Sequence, residues 1–172
     1  MKRLVVVITF AVVVMSTIDA APASAAGGGA SKSTTPASFV LTSALCANLP
    51  ASTTVNGTGV EKSITTSRTG RDGVTTIENS THAHGTATDQ NGNAYVFNYS
   101  NQFRVSNTVA DPGTFTGVMT DTFSLAGSGP AKLTNGFFAI FTTDFNTASF
   151  QPIRSHGDPI DFTSGSAHCD PL

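Results

Sequence analysis

The strictest constraint in this sequence is a two-residue rhythm in its middle. Between residues 95 and 105, Tyr95, Phe97, Tyr99, Phe103 and Val105 all stand at odd positions, while Asn98, Ser100, Gln102 and Arg104 stand at even ones; Val96 and Asn101 break the rule. Residues 114–125 repeat it, with Phe115, Met119, Phe123 and Leu125 at odd positions beside Gly117 and Asp121, against Thr114, Thr116, Val118, Thr120, Thr122 and Ser124. Successive side chains of a strand point to opposite faces, so the pattern puts one face on a core and the other in water. A helix would scatter the same aromatics around its circumference.

Strand signals flank this centre. Residues 53–68 are rich in Thr and Val and contain Gly57 and Gly59, which predict a bulge. Residues 74–88 read as a further strand, bounded by the turn sequences TGRDG and DQNGN. Asn-Gly tolerates the positive φ of a tight hairpin. Beyond AGSGP at 126–130, residues 133–143 carry Phe137, Phe138, Ile140 and Phe141 on both parities, which predicts burial on two sides. Pro152 and Pro159 make the tail short-stranded or edge-like, with Ile153, Ile160 and Phe162 expected over one end of the core. Strands joined by short turns predict an all-β domain over residues 38–172, an antiparallel up-and-down β-barrel, with a β-sandwich as the alternative.

The first 25 residues are a different matter. Lys2 and Arg3 precede a nearly unbroken apolar run at 4–15, and Ala23-Ser24-Ala25 fits the small-residue rule for signal peptidase. The run is shorter than the roughly 20 residues of a membrane-spanning helix. A signal peptide over 1–25 is therefore expected, cleaved after Ala25 or Ala26, with a secreted product and no membrane span after cleavage. Residues 26–37 (AGGGASKSTTPA) lack apolar periodicity and read as a disordered linker.

Charge narrows the partners. Charged residues are 12% of the chain, about half the usual share, and the net charge is −2 without a basic run. Nucleic-acid binding needs clustered Lys and Arg, so none is expected. The chain has no Trp, which argues against a carbohydrate site built on flat aromatic platforms. A monomer is expected. Cys46 and Cys169 stand near opposite ends of the secreted portion, and an even count in an oxidising compartment predicts a disulfide between them.

The segment Gly85-Thr86-Ala87-Thr88-Asp89, Asn91-Gly92-Asn93, Tyr95, Phe97, Tyr99, Asn101 and Phe103 resembles a pattern in small exported actinobacterial proteins of no assigned activity. The wider architecture is similar to lipocalin-like and allene-oxide-cyclase-like barrels. The resemblance implies a barrel and names no reaction.

Three groupings bear on chemistry. Tyr95, Phe97, Tyr99, Phe115, Met119 and Phe123 would line a barrel interior able to hold a small apolar or amphipathic molecule, and otherwise form a plain core. Asp121 shares their face, either as a polar anchor for that ligand or as a structural partner of Arg104 or Arg68. His82 and His84 stand two apart, so a strand sends both imidazoles to one side, with Glu78 on the same face, opposite Ile77 and Ala83. That spacing suits a metal, although a solvated pair is the plainer reading. No cofactor is implied, and no nucleophile motif or phosphate loop stands out. The reading preferred from sequence is a secreted ligand-binding barrel. The alternatives are an isomerase-like, cyclase-like or metal-dependent enzyme, and a non-catalytic surface or matrix protein.

Overall fold

A computed structural model describes residues 28–145, 151–157, 160–161 and 167–169. The signal peptide and Phe162 lie outside the described residues. These residues form one sheet of nine strands: β1 (Gly28–Cys46), β2 (Thr54–Thr69), β3 (Thr75–Asp89), β4 (Ala94–Ser106), β5 (Phe115–Gly127), β6 (Leu133–Thr143), β7 (Gln151–Gly157), β8 (Ile160–Asp161) and β9 (Ala167–Cys169). β1 to β7 run up and down as antiparallel neighbours in sequence order. The β8–β9 hairpin attaches to the outer edge of β1, where β9 runs parallel to it.

From β1 to β6 the ladders are unbroken, and every partnership joins two odd or two even positions, as in Phe39↔Gly57, Gly85↔Phe97 and Phe97↔Leu125. One face of the sheet is therefore odd and the other even across all six strands. The odd face is buried and the even face is largely solvated. The bulge expected at Gly57 and Gly59 is absent, since both stay in register with Ala87 and Gly85. Those glycines serve close approach instead: a Cβ at Gly57 would run into the Phe39 ring, and one at Gly85 would meet the Thr58 carbonyl and the Phe97 ring.

The sheet curls tightly around its odd face. Phe39 on β1 and Phe97 on β4 have ring centroids 4.9 Å apart. In a flat sheet, three inter-strand steps would hold those strands about 14 Å apart. The curl does not close, however. The edge strands of the described sheet are β7 and β8, which do not pair, so the barrel expectation is corrected to an open, coiled sheet. A second sheet is also absent among the described residues, which removes the sandwich. The edges explain the openness: β1 meets β9 only at Leu41 and Cys46, leaving most of its outer edge without a strand among the described residues.

The linker expectation also needs correction. Gly28 to Ala37 belong to β1 and pair with β2 from Arg68 to Gly59. Residues 28–36 are exposed throughout, so backbone hydrogen bonds rather than apolar burial hold them, and hydrophobic periodicity has nothing to report. In β6 the inward residues are Leu133, Phe137, Ala139 and Phe141, whereas Phe138 is 38% exposed on the other face, so burial on two sides is not observed. Ile153 is exposed rather than packed over the core. The side chain of Ile160 lies outside the described residues.

The interior divides into two clusters. The first gathers Phe39, Leu41, Cys46, Leu49, Val55, Ala83, Ala87, Tyr95, Phe97, Phe123, Leu125, Ala131 and Leu133 beside the β3–β4 turn. The second holds Val105, Met119, Phe137, Ala139 and Phe141, with Ile77, Phe103, Phe115 and Phe145 half-buried against them.

Candidate inner and outer sites

The two clusters are separated by a polar belt on the same inward face. It is built from Ser63 and Thr65 on β2, Asn79 and Thr81 on β3, Tyr99 and Asn101 on β4, Asp121 on β5 and Asn135 on β6, all at odd positions. On the β2–β3 side the belt satisfies itself. The Asn79 amide donates to the Ser63 hydroxyl at 3.0 Å and to the Thr65 hydroxyl at 2.8 Å, and the Thr81 hydroxyl lies 2.8 Å from Ser63 Oγ.

The β4–β6 side is different. Tyr99 donates its phenolic proton to Asp121 Oδ2 at 3.3 Å, and Asp121 is buried. Asn135, 3% exposed, stands beside Phe123 in register, and Asp121 is a diagonal neighbour in the next row. Neither its Oδ1 nor its Nδ2 has a hydrogen-bond partner among the described residues. A buried amide left so costs about 1–3 kcal/mol, so its retention calls for a reason beyond packing. The sequence reading passed over Asn135. Its signal was parity: it stands among the inward positions Leu133, Phe137 and Ala139.

The aromatic residues expected to line a cavity separate into two groups. Tyr95, Phe97 and Phe123 are packed shut, with Phe97 and Phe123 stacked at 6.3 Å and Phe39 set edge-on against both. Tyr95 donates to Asp89 Oδ2 at 2.9 Å and accepts from the Ala131 N–H at 3.3 Å. Asp89 in turn accepts from Asn91 N–H, Asn93 N–H and the Asn93 side-chain amide. Its hydrogen bond from the Asn93 side chain, aided by Tyr95 and the two backbone donors and opposed by burial, holds its carboxyl below the usual 3.8. Burial pushes the Tyr95 phenol above 10.0, and the Asp89 charge adds to the effect. These three aromatics and the Asp89 turn are architecture. Tyr99 and Phe115 are half-buried, as is Phe103, and Met119 is buried behind them. Tyr99 packs beside the first cluster, whereas Phe103 and Phe115 belong to the second, where the Phe145 ring lies 6.3 and 5.2 Å from them.

Arg104 and Arg68 occupy the even face, where both meet Glu78, at 3.4 and 3.6 Å. The structural partnership with Asp121 envisaged from sequence is therefore not made by either.

His82 and His84 also point outward from β3 and are exposed. They border a groove of about 470 Å³ across β3 to β6, whose outward walls are Asn98, Ser100, Thr122, Ser124, Thr134 and Gly136. His82 Nε2 lies 3.1 Å from the Ser80 hydroxyl. Among the described residues no set of three His, Cys, Asp or Glu side chains converges as a metal cage. No helix among them is long and apolar enough to cross a membrane. Cys46 is fully buried and stands opposite Cys169 in the β1–β9 ladder, with no free cysteine among the described residues.

Comparison with known families, with curated proteins and with solved structures finds no match for this chain.

Proposed function

We propose that this chain is an exported binding protein for a small amphipathic molecule, held against the inward face of the coiled sheet at its polar belt. The observation that carries the reading is Asn135: a buried amide with an acceptor and a donor both unspent, set beside the Tyr99–Asp121 pair. The apolar body of the ligand rests on the half-buried aromatics Tyr99, Phe103 and Phe115, with Met119 behind. Its polar end meets Asn135, which both donates and accepts, and Asp121, which accepts when ionised. A few convergent polar groups in an apolar setting are the usual composition of a ligand site. Tyr95, Phe97 and Phe123 support the floor rather than touch the ligand. Export rests on the N-terminal pattern, and a Cys46–Cys169 disulfide rests on the pairing of those two positions in the ladder.

Native mass spectrometry of the protein recovered from its own culture medium tests the reading. A discrete mass above the chain mass, lost on mild activation and absent from Asn135→Leu, supports it. Bare protein in both samples, with no uptake of amphipathic probes such as 1-anilinonaphthalene-8-sulfonate, overturns it.

A further inference from the structure

The even face of the sheet carries its own pair of chemically active side chains, His82 and His84, both exposed. We infer that His82 and His84 form an exchangeable site for a late first-row divalent cation, copper(II) above zinc(II), at the outer groove of β3 to β6. β3 pairs without a break with β2 and β4, so residues 82 and 84 stay on one face and cannot be turned apart by a local bulge. Their Cα atoms are two strand steps apart, about 6.6 Å, and two imidazoles at that spacing reach one ion with metal–nitrogen bonds of about 2.0–2.1 Å. Both rings are exposed, so binding requires little desolvation, and the cost is the His82 Nε2 contact with the Ser80 hydroxyl at 3.1 Å, which His82 gives up to turn toward His84.

The surroundings leave room. The cross-strand neighbours on β4 are Ser100 for His82 and Asn98 for His84, and the next strand offers Thr122 and Ser124. These are short side chains with oxygen atoms, and they wall the groove beside the rings. On β2 the neighbours are Lys62 opposite His82 and Val60 opposite His84. Lys62 is the one unfavourable group in this set, and its exposed ammonium limits affinity. Two protein nitrogens without a third strong ligand among the described residues give a site that exchanges its ion rather than a structural centre. Nitrogen donors favour copper(II) over zinc(II) in the usual affinity order.

The test is titration of the untagged full-length secreted protein with copper(II) and, separately, zinc(II), followed by calorimetry. One equivalent of ion is expected, bound more tightly for copper(II). His82→Ala and His84→Ala should each weaken it at least tenfold, and Lys62→Glu should tighten it several-fold. Circular dichroism confirms that the exposed substitutions leave the sheet intact. Unchanged binding in either histidine variant overturns the inference, because the ion then sits elsewhere, as at His156 or His168. It is equally overturned if each histidine binds alone, so that one substitution halves the stoichiometry without weakening the remainder. The two imidazoles stand on the even face and the belt side chains on the odd one, so separate variants test the two readings, although Tyr99 and Asn135 also border the groove.

Discussion

The two ends of the coiled interior use the same strands and the same alternation, yet they are built to different standards. At the β3–β4 end, Phe39 folds over Gly57, meets Phe97 and Phe123, and leaves the rings at most 5% exposed. The turn below is fastened by one carboxylate, Asp89, which gathers four hydrogen bonds. At the other end β1 carries no inward apolar side chain, because residues 28–36 are Gly, Ala, Ser, Lys, Thr and Pro exposed to water. Phe103, Phe115 and Ile77 are left half-covered there. The difference in packing follows what β1 contributes. Where it supplies Phe39 and Leu41 the inward face is closely packed, and where it supplies none Phe103 and Phe115 stay half-buried with Phe145 against them.

Reduction should break the comparison most severely. If Cys46 and Cys169 are joined, the bridge ties the tightly packed end to the tail. Closing a loop of this length stabilises the fold by up to about 5 kcal/mol on the chain-entropy model. Thermal unfolding with and without dithiothreitol should differ by many degrees, and an unchanged midpoint would remove the staple from the account. Next comes truncation of the aromatics. Phe97→Ala should cost about 3–5 kcal/mol by urea unfolding, the range for a fully buried ring. Phe103→Ala, half-buried at the second cluster, should cost about 1–2 kcal/mol. Equal costs would mean the two ends are equally packed.

Tyr95→Phe sharpens the role of the fastened turn. It removes a donor from Asp89 and an acceptor from the Ala131 N–H, and should cost about 1–3 kcal/mol. The same turn sets two limits in pH. Asp89 has its carboxyl lowered in the folded chain, so its contribution is complete above about pH 3.8 and fades as the pH falls below that toward the lower folded value. Tyr95 is raised, so its contribution is complete below about pH 10 and is lost as the pH climbs through the higher folded value. Melting temperature against pH should fall off at both extremes, and Asp89→Asn should flatten the acid side. The smallest effect has the opposite sign. Asn135→Leu replaces two unpaired polar atoms with methyl groups of similar volume and should raise stability of the ligand-free protein by about 1–2 kcal/mol. A loss instead would mean that the amide is satisfied in solution and has no ligand to await.

Much of this was legible in advance, and the reason is the purity of the alternation. The limits of β2 to β6 agree with the sequence reading to within two residues, because turn residues such as Asn91-Gly92 and Gly70 interrupt clear periodic runs. The inward placement of Asp121 and the outward placement of His82 and His84 follow from parity alone. Other features were hidden for physical reasons. β1 before Phe39 buries nothing, so its strand character is carried by a ladder with β2 that no local pattern encodes. Closure depends on which strands meet at the edges, and a two-residue β8 is too short to announce itself. The separation of the aromatics into fully buried and half-buried groups depends on how the sheet coils, which the alternation leaves undetermined. Asn135 went unread because Phe137, Phe138, Ile140 and Phe141, which follow it on both parities, obscured which side of β6 faces in.

The uninterrupted parity from β1 to β6 has a consequence for how this chain can vary. It behaves as a reading frame. Deleting or inserting one residue inside any central strand would send every later side chain of that strand to the wrong side, exchanging Phe for Thr along its whole length. Descendants of this gene can therefore change length freely in the connecting turns, but within the strands only by compensated or paired steps.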